Sequence, residues 1–305
     1  MTSFQTRPAA APGPSIPPPV RGIRRFVVRH PLLAFLGWFF TVGQALAFAP
    51  LALDAQGVAV PHQPFLVGSS VVGLLLPALM ITGLTGGRTE VVRYLRRLVP
   101  SRISAGWYLL ALVGLPGAAL LVCVVLLGPP QLPAGSSLAN VLLSGFVLQL
   151  VLVLVPNNLA EEGAWAGFAQ PRLQARFGPV RGAVLTGVLF ALQHISLVVG
   201  NAPLTAIALM AFLVVLLIPY RFLTGWLWNR TSSLFLISLI HAAGDAVTVG
   251  SGFGTGVARR LWADPNVPGV AHLLAFFVLG LVVLAATRGR LGLPRVHRTR
   301  GDSRD

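Results

Sequence analysis

The chain is short of almost everything a water-soluble protein uses to cover its surface. In 305 residues it has eight acidic side chains, no lysine and a single cysteine, and only 10% of its positions are charged. An ordinary soluble domain carries about 25% charged residues. Hydrophobic residues make up 55% of the chain and mean hydropathy is +0.78. That much apolar surface cannot be hidden in one aqueous fold of this length, so the surplus must face lipid. The lone Cys123 excludes an internal disulfide and any multi-cysteine metal site. All 23 basic residues are arginine, for a net charge of +15. Nucleic-acid binding is one meaning of such a charge. Here the arginines sit in short tracts between long apolar runs, as loops between membrane spans require, and no nucleic-acid partner is expected.

The pattern is that of an all-α, polytopic transmembrane helix bundle of about eight spans. A span needs about 20 mostly apolar residues. The apolar runs fall at roughly 32–53, 64–84, 105–127, 138–163, 180–200, 203–228, 232–250 and 268–287. Residues 1–30 form a Pro-rich, basic tail expected to be disordered, and no secretory signal is read in it. The helical domain covers 31–288, and residues 289–305 form a second basic tail. Arginine tracts at the N-terminus, 85–104, 164–179, Arg230 and the C-terminus place both termini in the cytoplasm, with Arg259 and Arg260 discordant. The expected location is the cytoplasmic membrane. Segment 88–99 alternates arginine with Val, Tyr and Leu. It suits a short amphipathic helix on the inner leaflet, beside the simpler reading of a basic loop.

Two apolar runs are irregular. The fourth is overlong and interrupted by Pro156, Asn157, Asn158, Glu161 and Glu162; the seventh is short and carries His241 and Asp245. An ionised carboxylate in mid-bilayer costs on the order of 2.5–3.5 kcal/mol even on the lenient insertion scale, so such groups face a wet cavity and pair with one another. His194 is similarly placed in the fifth run. His241 and Asp245, four residues apart, lie about 40° apart on one helix face. Glu161 and Glu162 diverge by about 100°, so one serves the cavity while the other orients a neighbour. Carboxylates and imidazoles gathered on three spans are the components of a water-activating site. The bland readings remain: boundary glutamates, a packing histidine, and a His–Asp pair gluing helices. Trp165 and His272 read as interfacial residues, and Asn157 and Asn158 as satisfying a helix kink.

These residues carry a resemblance. Glu161-Glu162-Gly-Ala-Trp165-Ala166, Phe190-Ala-Leu-Gln-His194 and His241-Ala-Ala-Gly-Asp245 resemble, in order, the motifs EExxxR, FxxxH and Hxxx(N/D). Those motifs mark the CPBP family, the CAAX-prenyl-protease-2 and bacteriocin-processing (ABI-like) intramembrane proteases. The resemblance spans about 155–250, the protease-like core. It implies hydrolysis of a peptide bond in a membrane-associated, prenylated or otherwise lipidated substrate. Glu161 would be the general base, helped by His194, with His241 and Asp245 stabilising the oxyanion or completing the polar site and Glu162 beside them. It implies either zinc, held by residues from Glu161, His194 and His241, or a metal-free, glutamate-activated water. One position departs: Ala166 stands where the motif has Arg, so Glu162 must find another donor, hold a water or take up a proton. Two other functions stay open at this point. One is a silent relative acting as a membrane scaffold or immunity protein. The other is a proton-linked transporter, which would be expected to show an internal repeat that is not found.

Overall fold

In the computed structural model, residues 22–294 are described, except 133, 252–254, 263 and 265 and the side chains of 138, 142 and 144. The outer parts of both expected tails, 1–21 and 295–305, lie outside the described residues. Among the described residues all regular structure is helical. A short α1 (Ile23–Arg29) leads into α2 (Pro31–Asp54), α3 (Gln63–Arg97) and α4 (Ala105–Leu127). A long, irregular α5 (138–177) follows, then α6 (Pro179–Leu197), α7 (Pro203–Thr231), α8 (Leu234–Val247), α9 (Val257–Leu261) and α10 (Val267–Ala286). Six of these, α2, α3, α4, α6, α7 and α10, are long and apolar enough to cross a membrane. The chain is a multi-pass membrane protein.

The fourth and seventh apolar runs, the irregular ones, correspond to α5 and α8. Helix α8 has 14 residues, too few to span a bilayer of about 30 Å alone. Twelve of those 14 are buried. A helix apolar and covered on all sides is a core helix, not a lipid-facing one, and α8 packs against α4, α5 and α7. Its start is fixed by a left-handed Ser232 (φ 52°) and by Ser233, whose Oγ accepts from the Leu236 amide at 3.2 Å. That is the usual work of a serine N-cap.

Helix α5 is continuous but unevenly wound. Its Leu159–Ala164 stretch, which holds both glutamates, lies between two wide π-type turns, Leu154–Asn158 and Trp165–Ala169. The first contains Pro156, which cannot donate to the helix ladder. Such turns rotate the residues that follow and are frequent at functional sites. Helix α3 breaks at Gly87 (φ 73°), and its last turns carry exposed Arg88, Arg93 and Arg96 while Tyr94 is buried. The 88–97 segment is therefore helical, with its arginines outward. The Tyr94 hydroxyl donates to the Gly163 carbonyl beside the two glutamates.

Helix α7 is clamped by two small residues. A Cβ on Gly187 of α6 would lie 2.6 Å from Ile218 Cα, and one on Gly280 of α10 only 1.9 Å from the Pro219 carbonyl oxygen. Without a hydrophobic drive between helices in lipid, close backbone approach of this kind supplies the packing. It sets the height of the residues just after Pro219. Gly280→Val is expected to cost at least the ~1–3 kcal/mol typical of overpacking and to lower the detergent-solubilised melting temperature by several degrees. Gly269→Ala, whose Cβ would meet nothing within 4 Å, is expected to leave it unchanged. Equal melting of the two variants by differential scanning fluorimetry would refute the clamp.

Candidate active site

The five polar residues expected to act together do meet. Glu161, His194, His241 and Asp245 all line one cavity of about 150 Å³, enclosed by α2, α3, α5, α6 and α8. A volume of that size holds several waters. Glu162 sits behind the wall, fully buried. The helical divergence of adjacent residues has sent one carboxylate to the cavity and the other into protein.

Glu162 is saturated. Its Oε2 accepts from Arg221 Nη1 at 2.7 Å. Its Oε1 accepts from Arg221 Nη2 at 3.2 Å, Tyr220 OH at 3.0 Å and His241 Nδ1 at 2.9 Å. Three donors meet Oε1 and one meets Oε2, so the carboxylate is held firmly from several sides. Both partners of the Arg221–Glu162 pair have fully buried side chains. The guanidinium also lies 3.7 Å from the Phe190 ring centroid, a cation–π contact to the second motif. A bidentate pair of this kind is the geometry for which arginine is suited and lysine is not.

Glu161 is differently placed. Gln193 Nε2 donates to its Oε1, and Gln193 Oε1 in turn accepts from Trp165 Nε1 at 2.5 Å. The Gln193 carbonyl accepts from Gln44 Nε2 at 3.1 Å. Trp165 is therefore no interfacial anchor; it is buried in the core and fixes the amide that holds Glu161. The second Glu161 oxygen, Oε2, lies 3.7 Å from His241 Nδ1. His194 ends α6, and its Nδ1 donates to the Phe190 carbonyl at 2.9 Å, which leaves Nε2 as the ring's free lone pair. On α8, His241 Nε2 is 3.7 Å from Asp245 Oδ2, as one-face spacing requires. Asn157 lines the cavity and its Oδ1 accepts from Ser70 Oγ at 2.6 Å; Asn158 Nδ2 donates to Asp245 Oδ2 at 2.9 Å. Both asparagines thus serve the site.

Among the described residues, two groups of side chains bring ligand atoms close enough to one another to hold a metal ion: Glu161, Glu162 and His241, and His241, Asp245 and His272. His194, in the expected ligand set, joins neither. His272 is not interfacial. It is buried in α10 with Nε2 3.4 Å from Asp245 Oδ1.

Residues 143–247, which supply the four cavity-lining residues and Glu162, match a family model described as Type II CAAX prenyl endopeptidase Rce1-like. The match covers about a third of the chain and agrees with the resemblance of its three motifs to the CPBP family. No curated protein matches the chain significantly. Against the CPBP pattern, the position of the motif arginine is occupied by Ala166, which is itself buried. The arginine that pairs with the second glutamate comes instead from α7. Reading the sequence for acids in apolar runs missed it. The available signal was a cation 18 residues into a 29-residue apolar helix, as costly there as a carboxylate.

Removing one partner of a buried ion pair costs about 3–5 kcal/mol, because the other charge is stranded. Arg221→Met should therefore melt well below wild type, and Arg221→Met/Glu162→Gln should regain much of the loss. A double variant no more stable than the single would show that the two charges are not coupled.

Proposed function

We propose that the chain is an intramembrane endopeptidase of the cytoplasmic membrane, hydrolysing a peptide bond in a prenylated or otherwise lipid-modified substrate. The observation that carries the reading is the unequal environment of the two glutamates. Glu162 is fully buried away from the cavity and held by four donors, two of them from the Arg221 guanidinium. Glu161 faces a hydrated cavity with one oxygen steadied by Gln193 and the other free of direct donors. A general base must be held in place yet keep an open lone pair toward its water.

In this scheme a cavity water donates one hydrogen to Glu161 and the other to His194 Nε2. As the water oxygen attacks the substrate carbonyl, Glu161 takes the first proton and later gives it to the departing amine. His194 turns its Nδ1–H to the Phe190 carbonyl and His241 turns its Nδ1–H to Glu162. The Asn157 amide, whose oxygen is already satisfied by Ser70, offers its NH₂ group. Positioned hydrogen-bond donors of this type contribute about 2.7–4 kcal/mol in well-studied hydrolases.

The Arg221 pairing supports an active enzyme over a silent scaffold. The absence of arginine at 166 puts activity in doubt only if Glu162 is left without a cation, and it is not. Purified protein should cleave a farnesylated CAAX peptide in detergent or liposomes. Glu161→Gln and His194→Ala should each lower kcat/KM by ~10²-fold or more, with melting temperatures close to wild type. Retained turnover in both variants would sink the assignment of the site. A wild type that cleaves neither farnesylated nor unmodified peptides would favour the scaffold.

A further inference from the structure

The cavity lies toward one end of the helix bundle, and the order of the helices says which. Helices α2 and α6 finish at that end, and α3 and α7 start there. Its lining comes from those helix ends. Gln63 is the first residue of α3, His194–Leu197 form the last turn of α6, and Val249, Gly250 and Ser251 follow the end of α8 at Val247. Gln63 and Leu197 are exposed at the rim. Toward the other end of the bundle the space is filled. Beyond Glu161 on α5, the buried Trp165 and Phe168 pack with Phe35 and Phe39 near the start of α2. The Tyr94–Gly163 hydrogen bond and the Arg221–Glu162 pair lie behind the same wall. A peptide therefore reaches Glu161 from the end where α6 finishes, not from the end where α5 finishes.

Positive charge is gathered at the opposite end. Among the described residues, with the buried Arg221 set aside, every arginine except Arg259 and Arg260 stands away from the mouth. They lie on α1, along 88–102, around the turn between α5 and α6, in the last turn of α7 and just after α10. Short segments rich in arginine remain on the cytoplasmic side of a membrane. We infer that the cavity opens to the outer face, and that its substrate is an exported peptide segment, apolar and uncharged around the scissile bond and anchored in the outer leaflet. The substrate half of this inference rests on the peptidase reading and narrows its lipid-modified class to chains that have already crossed the membrane. The rim fits such a segment. Leu66, Val67, Leu152 and Leu197 stand there with Gln63 and Ser251, and the ionisable lining residues are the four at the floor, Glu161, His194, His241 and Asp245. A charged flank would lose its hydration at that rim without meeting a counter-charge, whereas an apolar one would not. A substrate anchored in the inner leaflet would meet the arginine-bearing end and the aromatic wall.

The orientation is read without substrate, by thiol labelling of the full chain in intact cells. The native Cys123 is buried, so the wild type gives a low background. A membrane-impermeant maleimide should label Gln63→Cys at the rim and Val249→Cys inside the cavity from outside the cell. Arg96→Cys should react only after the membrane is permeabilised. Labelling of Arg96→Cys in intact cells, or labelling of Val249→Cys that needs permeabilisation or never exceeds the wild type, overturns the outward mouth. The substrate is then tested in sealed vesicles of the two orientations. An acylated, uncharged peptide added to the bath should be cut by right-side-out vesicles and spared by inside-out ones. The reverse result overturns the inference. Cleavage by neither, with the labelling pattern as expected, overturns the peptidase reading and the substrate class together and leaves the outward mouth standing.

Discussion

Burying an arginine and a glutamate together is expensive, and the rest of this site follows from how that expense is met. Each ion loses several kcal/mol of hydration that only near-ideal geometry and further hydrogen bonds offset. Here the geometry is a two-pronged contact between α7 and α5, with Tyr220 and His241 filling the remaining lone pairs of Glu162. The pair therefore does more than join two helices. By accepting from His241 Nδ1 it orients that ring and turns Nε2 toward Asp245. Tyr220 stacks on Phe276 of α10 at 3.9 Å, which ties the same carboxylate to a third helix. The glycine contacts at 187 and 280 hold α7 at the height this requires.

The source of the cation matters physically. An arginine at 166 would stand one turn from Glu162 on the same helix, and an i,i+4 pair of that kind steadies a single element. Arg221 reaches from a neighbouring helix, so the same charge pairing becomes a tertiary constraint. The winding of α5 is consistent with the change. From Trp165 the helix widens into a π-type turn, which rotates residue 166 away from its ideal relation to Glu162, and Ala166 is packed without room for a longer side chain. In this chain the positive charge at the second glutamate is supplied from α7.

Much of this was legible from composition and spacing because it depends on local rules. Apolar runs of span length reported the helices, with the 105–127 run matching α4 to the residue. The one-face spacing of His241 and Asp245 and the divergence of Glu161 and Glu162 follow from helical geometry alone. What was not legible depends on contacts far apart in the chain. Nothing in the order of residues says that Arg221 stands 2.7 Å from Glu162, 59 positions away. Trp165 and His272 were misread for a related reason. Each sits near the end of an apolar run, where an interfacial role is the common one, and burial there is decided by neighbouring helices. The depth of Glu161 could not be counted along α5 because two wide turns interrupt its rise.

Two adjacent glutamates of the same type end in opposite conditions, and counting donors explains how. Four donors on Glu162 make it a fixed anion, a part of the scaffold. Glu161, steadied by Gln193 on one oxygen, turns to the cavity. The matched segment at 143–247 supplies the glutamates, His194, His241 and Asp245, but it does not close the site by itself. Gln44 on α2 and Ser70 on α3 steady Gln193 and Asn157, and His272 on α10 faces Asp245. The flanking helices thus set the protonation and orientation of motif residues they do not contain. In this chain the chemistry of the core is inseparable from the bundle that surrounds it.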